Sequence, residues 1–157
     1  FSNYVNTLTP AGSTYHDIGM LWGARLVSST GIFASNVTEV PTNGGNVTRH
    51  IIYMTDGEPN ANYSIQQAYG IEYHDRRITD NGYTDDDTRH VNRFRALCDA
   101  IKGRGVRIWV IGYSTSLSSD LSYCASPDSG FTANSASELN AAFQQIAKTA
   151  SALRVAS

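Results

Sequence analysis

His50-Ile51-Ile52-Tyr53-Met54-Thr55-Asp56-Gly57 is a near-continuous apolar run closed by a carboxylate and a glycine. Strands buried on both faces of a parallel sheet read this way. A second run of the same kind, Val106-Arg107-Ile108-Trp109-Val110-Ile111-Gly112-Tyr113, lies further along the chain. Between them, Asp87 to Lys102 carries Val91, Phe94, Leu97, Cys98 and Ile101 at helical spacing, with Gly103 and Gly105 as a stop. Strand, helix, strand with the helix as crossover is a βαβ unit. Working outward toward the C-terminus, a short strand is expected at Gly130 to Ala133. A helix from Ser137 to about Leu153 follows, burying Leu139, Ala142, Phe143, Ile146 and Ala150. Toward the N-terminus, the turn signal Thr9-Pro10-Ala11-Gly12 precedes a helix from Tyr15 to Val27. Ser13 or Thr14 is its plausible N-cap, and Ile18, Leu21, Trp22, Arg25 and Leu26 mark its inward face. Ser28 to Gly31 ends that helix, and Ala34 to Asn46 reads as a surface loop. The expected architecture is an open parallel α/β sheet with flanking helices.

A length of 157 residues, 41% of them apolar, allows one sizeable core, and so one domain or part of one. The net charge of -2 comes with scattered Lys and Arg, which argues against nucleic acid as a partner. No run approaches the roughly 18 apolar residues of a membrane span, and the first residues lack the layout of a signal peptide. Because Phe1 begins abruptly inside sequence that already looks structured, targeting information is expected upstream. Cys98 and Cys124 are too far apart for a CxxC motif, which leaves a disulfide or two buried thiols.

The segment at about residues 58–86 is polar, aromatic and too long for an ordinary strand-to-helix connection. An insertion at the carboxyl end of a parallel strand sits where open α/β sheets bind ligands, so Tyr63, Tyr69, Tyr73 and Tyr83 are candidate partner-binding residues. A structural flap is the plainer alternative. Asp56, at the end of its strand before a tight turn, faces the same crevice and suits a hard cation, with the Thr14 hydroxyl as a second oxygen donor. Each also has an ordinary role, Thr14 as a helix cap and Asp56 as a turn former.

Gly12-Ser13-Thr14 opening a helix, together with Ile51 to Gly57 ending a strand, resembles the second and third motifs of the metal-ion-dependent adhesion site (MIDAS) of von Willebrand factor A (vWA) domains. Ser13 stands where that family usually has a second glycine. Several segments resemble, more narrowly, the C-terminal vWA region of TadG-like proteins of bacterial tight-adherence (Flp) pilus systems. They are Gly12 to Arg25, Arg49 to Pro59, Tyr69-Gly70-Ile71-Glu72 to Arg77, Cys98 to Lys102, Val106 to Tyr113, and Glu138-Leu139 to Leu153-Arg154. The likeness runs over nearly the whole chain, which would then be the C-terminal part of a single vWA-like domain. The family's first motif, Asp-x-Ser-x-Ser after the central strand, is absent. The resemblance therefore implies a partial metal site, Thr14 and Asp56 alone, able to take Mg²⁺ (or Mn²⁺ or Ca²⁺) in an intact domain but not expected to hold it in this chain by itself. It also implies that the central strand lies outside this chain. The strand ending at Asp56 would then present an open edge, to be covered by an upstream piece of the same protein or by another copy. In TadG-like proteins a cysteine in the crossover helix and another in the loop after the next strand recur as a pair. Cys98 and Cys124 match those places, and a periplasmic setting would oxidise them.

Ser13, His16 and Asp17 do not make a catalytic triad, because adjacent helical positions point apart. Asp85-Asp86-Asp87 lacks the ligand spacing of a calcium loop and reads as a solvated helix N-terminus. Trp22 and Trp109 read as core residues. The expected function is a non-enzymatic protein-binding module of the bacterial envelope, on its periplasmic or extracellular face and anchored through an upstream segment. It would engage a pilus or assembly partner through the MIDAS-type face. The alternative is a structural vWA scaffold with a vestigial metal site that binds through the tyrosine-rich insertion.

Overall fold

A computed structural model of the chain describes residues 1–9, 11–38, 42, 44, 45 and 47–152. The elements run α1 (Ser2–Val5), α2 (His16–Val27), α3 (Ala34–Val37), β1 (His50–Thr55), β2 (Gln66–Gln67), β3 (Gly70–Ile71), α4 (Glu72–Asp75), α5 (Asp86–Lys102), β4 (Arg107–Tyr113), α6 (Ser119–Cys124), β5 (Gly130–Ala133) and α7 (Ala136–Ala152). Pro10 of the expected turn, much of the loop between 39 and 46, and Leu153 and Arg154 lie outside the described residues.

The fold is α/β, an open parallel sheet in the order β1-β4-β5 flanked by helices, with a small antiparallel β2-β3 hairpin. β1 joins β4 in the register His50 with Arg107 through Thr55 with Gly112. β4 joins β5 from Val110 with Gly130 to Tyr113 with Ala133. As the middle strand, β4 buries Ile108 to Gly112 without interruption, as a strand covered on both faces should. On one face Ile51, Ile108 and Val110 pack with Met20 of α2, Phe94, Cys98 and Ile101 of α5, and Leu121 and Cys124 of α6. On the other, Trp109, Ile111 and Ala133 pack with Ala142 and Ile146 of α7.

Three expectations about burial are corrected. β1 is covered on one face only: Ile52 and Met54 remain exposed, because β1 is the edge strand and no described helix covers that side of it. α2 turns a different face inward, His16, Asp17 and Met20, with Ala24 and Val27 beside them. Trp22 and Leu26 are exposed. The glycines explain the rotation: a Cβ at Gly19 would lie 3.6 Å from the Tyr53 ring and one at Gly23 3.6 Å from Ile51, so the helix sits close on β1 along its side-chain-poor stripe. Phe143 of α7 is also exposed, whereas Ala142 and Ile146 are buried as expected. Trp109 is a core residue, stacked on Phe131 and donating from Nε1 to His50 Nδ1 at 3.1 Å.

Candidate functional site

The chain leaves β1 at its carboxyl end and passes at once into the insertion. Thr14 and Asn60 exchange backbone N–H···O bonds of 2.9 Å, which ties the segment before α2 to the segment leaving β1. Thr14 is therefore not the cap of α2. Tyr15 holds that position without a side-chain cap bond, and its hydroxyl takes the Asn62 N–H at 2.9 Å. Thr14 and Asp56 are both exposed, and neither side chain forms a hydrogen bond or ion pair with a described residue.

The insertion is held by one buried carboxylate. Glu72, 1% exposed, accepts backbone N–H bonds from Arg77, Ile78 and Thr79 and the Thr79 hydroxyl bond, all between 2.7 and 3.1 Å. Burial acts against its ionisation, but these donors outweigh it and the carboxyl sits below its ordinary value of 4.5. The chain turns tightly around this point. Arg76 adopts a left-handed φ of 48°, and Gly82 has a φ of 90° where a Cβ would come within 2.8 Å of the Tyr73 carbonyl, which excludes other residues. Because its folded pKa is depressed, Glu72 contributes stability above pH 4.5 that is lost as pH falls through the lower folded value. Glu72→Gln is expected to cost about 2–3 kcal/mol and to remove that acid sensitivity. Near-ultraviolet circular dichroism of the tyrosines, followed against pH, checks both.

On this frame Tyr63, Tyr73 and Tyr83 come together, with ring centroids 6.4 Å apart for Tyr63 and Tyr73 and 6.2 Å for Tyr63 and Tyr83. All three are exposed. A shallow pocket beside them is lined by Tyr63, Ser64, Ile71, Tyr73 and His74. Tyr69 faces the other way, onto α5, against the His90 ring and under the Arg93 guanidinium 4.4 Å from its centroid.

Beneath the insertion, between α2 and α5, lies a buried cluster of ionisable side chains. His90 Nδ1 is 2.8 Å from Asp17 Oδ2, and its Nε2 is 3.5 Å from Asp86 Oδ1. Arg93 Nε is 3.5 Å from Asp17. Asp17, Asp86 and His90 are all buried, so the expected solvated helix N-terminus is corrected: Asp86 faces inward, and Asp87 accepts the Ala61 N–H. Burial pushes the Asp86 carboxyl up, with His90 acting against this and Glu72, Asp87 and Asp17 adding to it. His90 was missed because a histidine in an amphipathic helix reads as surface. The signal that would have marked it is the acidic residue four positions earlier, Asp86, on the same helix face.

The metal that the vWA resemblance implies would find a hydroxyl and a carboxylate here. These are oxygen donors of the kind Mg²⁺ prefers, but far fewer than its octahedral shell takes. Among the described residues no group of three or more His, Cys, Asp or Glu side chains is placed to hold a metal ion. The residues present do not make a complete site.

Cys98 of α5 and Cys124 of α6 form a disulfide, which accords with an oxidising, extracytoplasmic compartment. No helix among the described residues is long and apolar enough to cross a membrane. Comparisons of the chain with protein-family models, with curated proteins and with solved structures found no match in any of the three.

Proposed function

We propose that this chain is a non-enzymatic, vWA-type protein-binding module that engages its partner through the tyrosine face of the insertion. The observation that carries the reading is the exposed cluster of Tyr63, Tyr73 and Tyr83 on a frame fixed by Glu72. Aromatic rings of few rotatable bonds, held rigid before binding, lose little entropy on contact and dominate protein interfaces. Among the described residues no nucleophile, base and orienter converge beside the tyrosines, and the Asp17–His90 pair is buried. The TadG-like resemblance extends the proposal to a component of the bacterial envelope, anchored by sequence outside this chain and contacting a pilus or assembly protein.

A photo-crosslinking amino acid at position 73, in producing cells, is expected to give one discrete protein adduct. The same group at exposed Gln144 of α7 should give none. Tyr73→Ala is expected to weaken binding to the captured partner by about thirtyfold, as loss of a central aromatic does. Equal adducts from both positions, or unchanged affinity, would sink the proposal.

A second reading draws on Thr14 and Asp56 standing exposed and unengaged beside the same loop. In it they form part of a metal-ion-dependent adhesion site completed by oxygen ligands from other polypeptide. Asp56→Ala separates the two: it abolishes partner binding under this reading and leaves it intact under the first.

A further inference from the structure

Within the chain, cations settle on aromatic rings. Arg25 lies over Trp22, Arg93 over Tyr69, Arg95 and Lys102 over Tyr123, and Arg107 over Trp109, all between 4.4 and 4.9 Å from the ring centroid. Four of these five cations are arginines, whose flat, weakly hydrated guanidinium stacks on a ring better than an ammonium does. Among the described residues no Lys or Arg lies over Tyr63, Tyr73 or Tyr83, although these rings are 43%, 53% and 52% exposed. The ground around them is negative. Residues 58–86 hold six Asp and Glu against Arg76 and Arg77, a formal -4 in a chain of -2, so the remaining residues carry +2. Glu72, next to Tyr73 in sequence, is held ionised by its N–H and hydroxyl donors. Asp75 accepts the Ile71 N–H at 2.8 Å, and Ile71 lines the same shallow pocket as Tyr63 and Tyr73. The Asp75 carboxylate therefore stands at the rim of that pocket, and among the described residues it pairs with no cation. Arg76 and Arg77 are exposed and do not line the pocket. His74 does, set ring against ring on Tyr73 at 84°.

Tyr123 shows the finished form of such an arrangement. Its ring carries Arg95 and Lys102, and its hydroxyl donates to Asp99 at 2.6 Å. Tyr73 and Asp75 supply a ring and a carboxylate without the cation. With the Tyr63 and Tyr73 centroids 6.4 Å apart, one guanidinium above the pair stands within about 6 Å of both. Resting on the tyrosine face as the binding surface, we infer that the partner is a basic protein segment that seats an arginine over Tyr63 and Tyr73, its guanidinium also facing the Asp75 carboxylate. An acidic segment is repelled by the same charges. A purely apolar one would cover Asp75 without pairing it, which costs the carboxylate its hydration.

Selection of a displayed random-peptide library on the immobilised chain tests this. Arginine is expected to be enriched, and the best peptide is then remade with citrulline, which keeps the shape of arginine and removes its charge. The citrulline peptide should bind about tenfold more weakly, a comparison that leaves the protein unaltered. Asp75→Asn, whose amide oxygen still accepts the Ile71 N–H, should weaken the arginine peptide about threefold and leave the citrulline peptide unchanged. Tyr73→Ala should weaken the arginine peptide about thirtyfold. No enrichment of arginine, or equal binding of the arginine and citrulline peptides, overturns the inference. If the peptides selected instead are apolar and are still lost with Tyr73→Ala, the tyrosine face stands as the binding surface and only the chemistry of its partner changes. Arginine peptides that survive Tyr73→Ala bind elsewhere and count against both. Sedimentation with phosphatidylcholine vesicles, lost with Tyr73→Ala, would make the cation a choline headgroup and equally overturn a protein partner.

Discussion

Replacing His90 with alanine is expected to cost about 3 kcal/mol of folding stability, because it leaves the buried Asp17 carboxyl without the hydrogen-bond partner that sits 2.8 Å away. Among the described residues Asp17 would keep Arg93 at 3.5 Å, and Asp86 would lose the imidazole nitrogen that lies 3.5 Å from its Oδ1. Most domains of this size have about 5–15 kcal/mol in all, so the variant should sit near the unfolding threshold. Urea denaturation of wild type and His90→Ala measures the difference, and a loss under about 1 kcal/mol would mean that the cluster is solvated and contributes as a surface pair does. Asp86→Asn tests the same cluster from the other side. A carboxyl raised above its ordinary 3.8 gives stability that is complete below that pH and is lost as pH rises through the folded value. The amide should therefore be neutral or stabilising at pH 7, flattening the loss above pH 3.8. This slope is opposite in sign to that of Glu72, and the two variants distinguish them.

Loss of the Cys98–Cys124 bond is the other large effect expected. The bridge closes a loop over a sequence separation of 26, and on the chain-entropy model its removal costs about 3.5 kcal/mol. Both cysteines are fully buried in the core with Phe94, Ile108 and Leu121, so a thiol reductant reaches the bond only through an opening of α6 from α5. The double variant Cys98→Ala with Cys124→Ala should show the full loss in thermal or urea unfolding. Reduction of the native protein should be slow and should accelerate with denaturant. Rapid reduction in buffer alone would show that α6 is not held closed by its packing.

How much of this was legible in the sequence follows from what kind of contact made each part. The apolar runs at 50–55 and 107–113 and the crossover helix between them are local patterns. They appear at the expected places, and β5 spans Gly130–Ala133 as read. The large apolar residues of α2 point in the sequence to an inward face that the fold does not use. The helix's close seat on β1 instead favours the glycines, and Trp22 and Leu26 are left exposed. The tyrosines were legible as an aromatic-rich insertion, but not which of them meet: Tyr63, Tyr73 and Tyr83 join through backbone turns set by Glu72, while Tyr69 turns to α5. Glu72 and His90 escaped notice for one reason. A charged residue reads as solvated unless its partners are known, and theirs lie on other turns or another helix. Thr14 pairs with Asn60, in the segment that leaves β1 after Asp56.

The place of β4 in the middle of the sheet has a consequence in time. Both cores are assembled on its two faces, and β1 finds its partner only when residues 107–113 are present, as the register of His50 with Arg107 requires. During synthesis β1 therefore leaves the ribosome before the strand it pairs with, and the side chains that pack against β4 wait through the whole insertion and α5. Such non-local closure is slow, and the interval before β4 arrives is when the chain is most exposed to wrong partners.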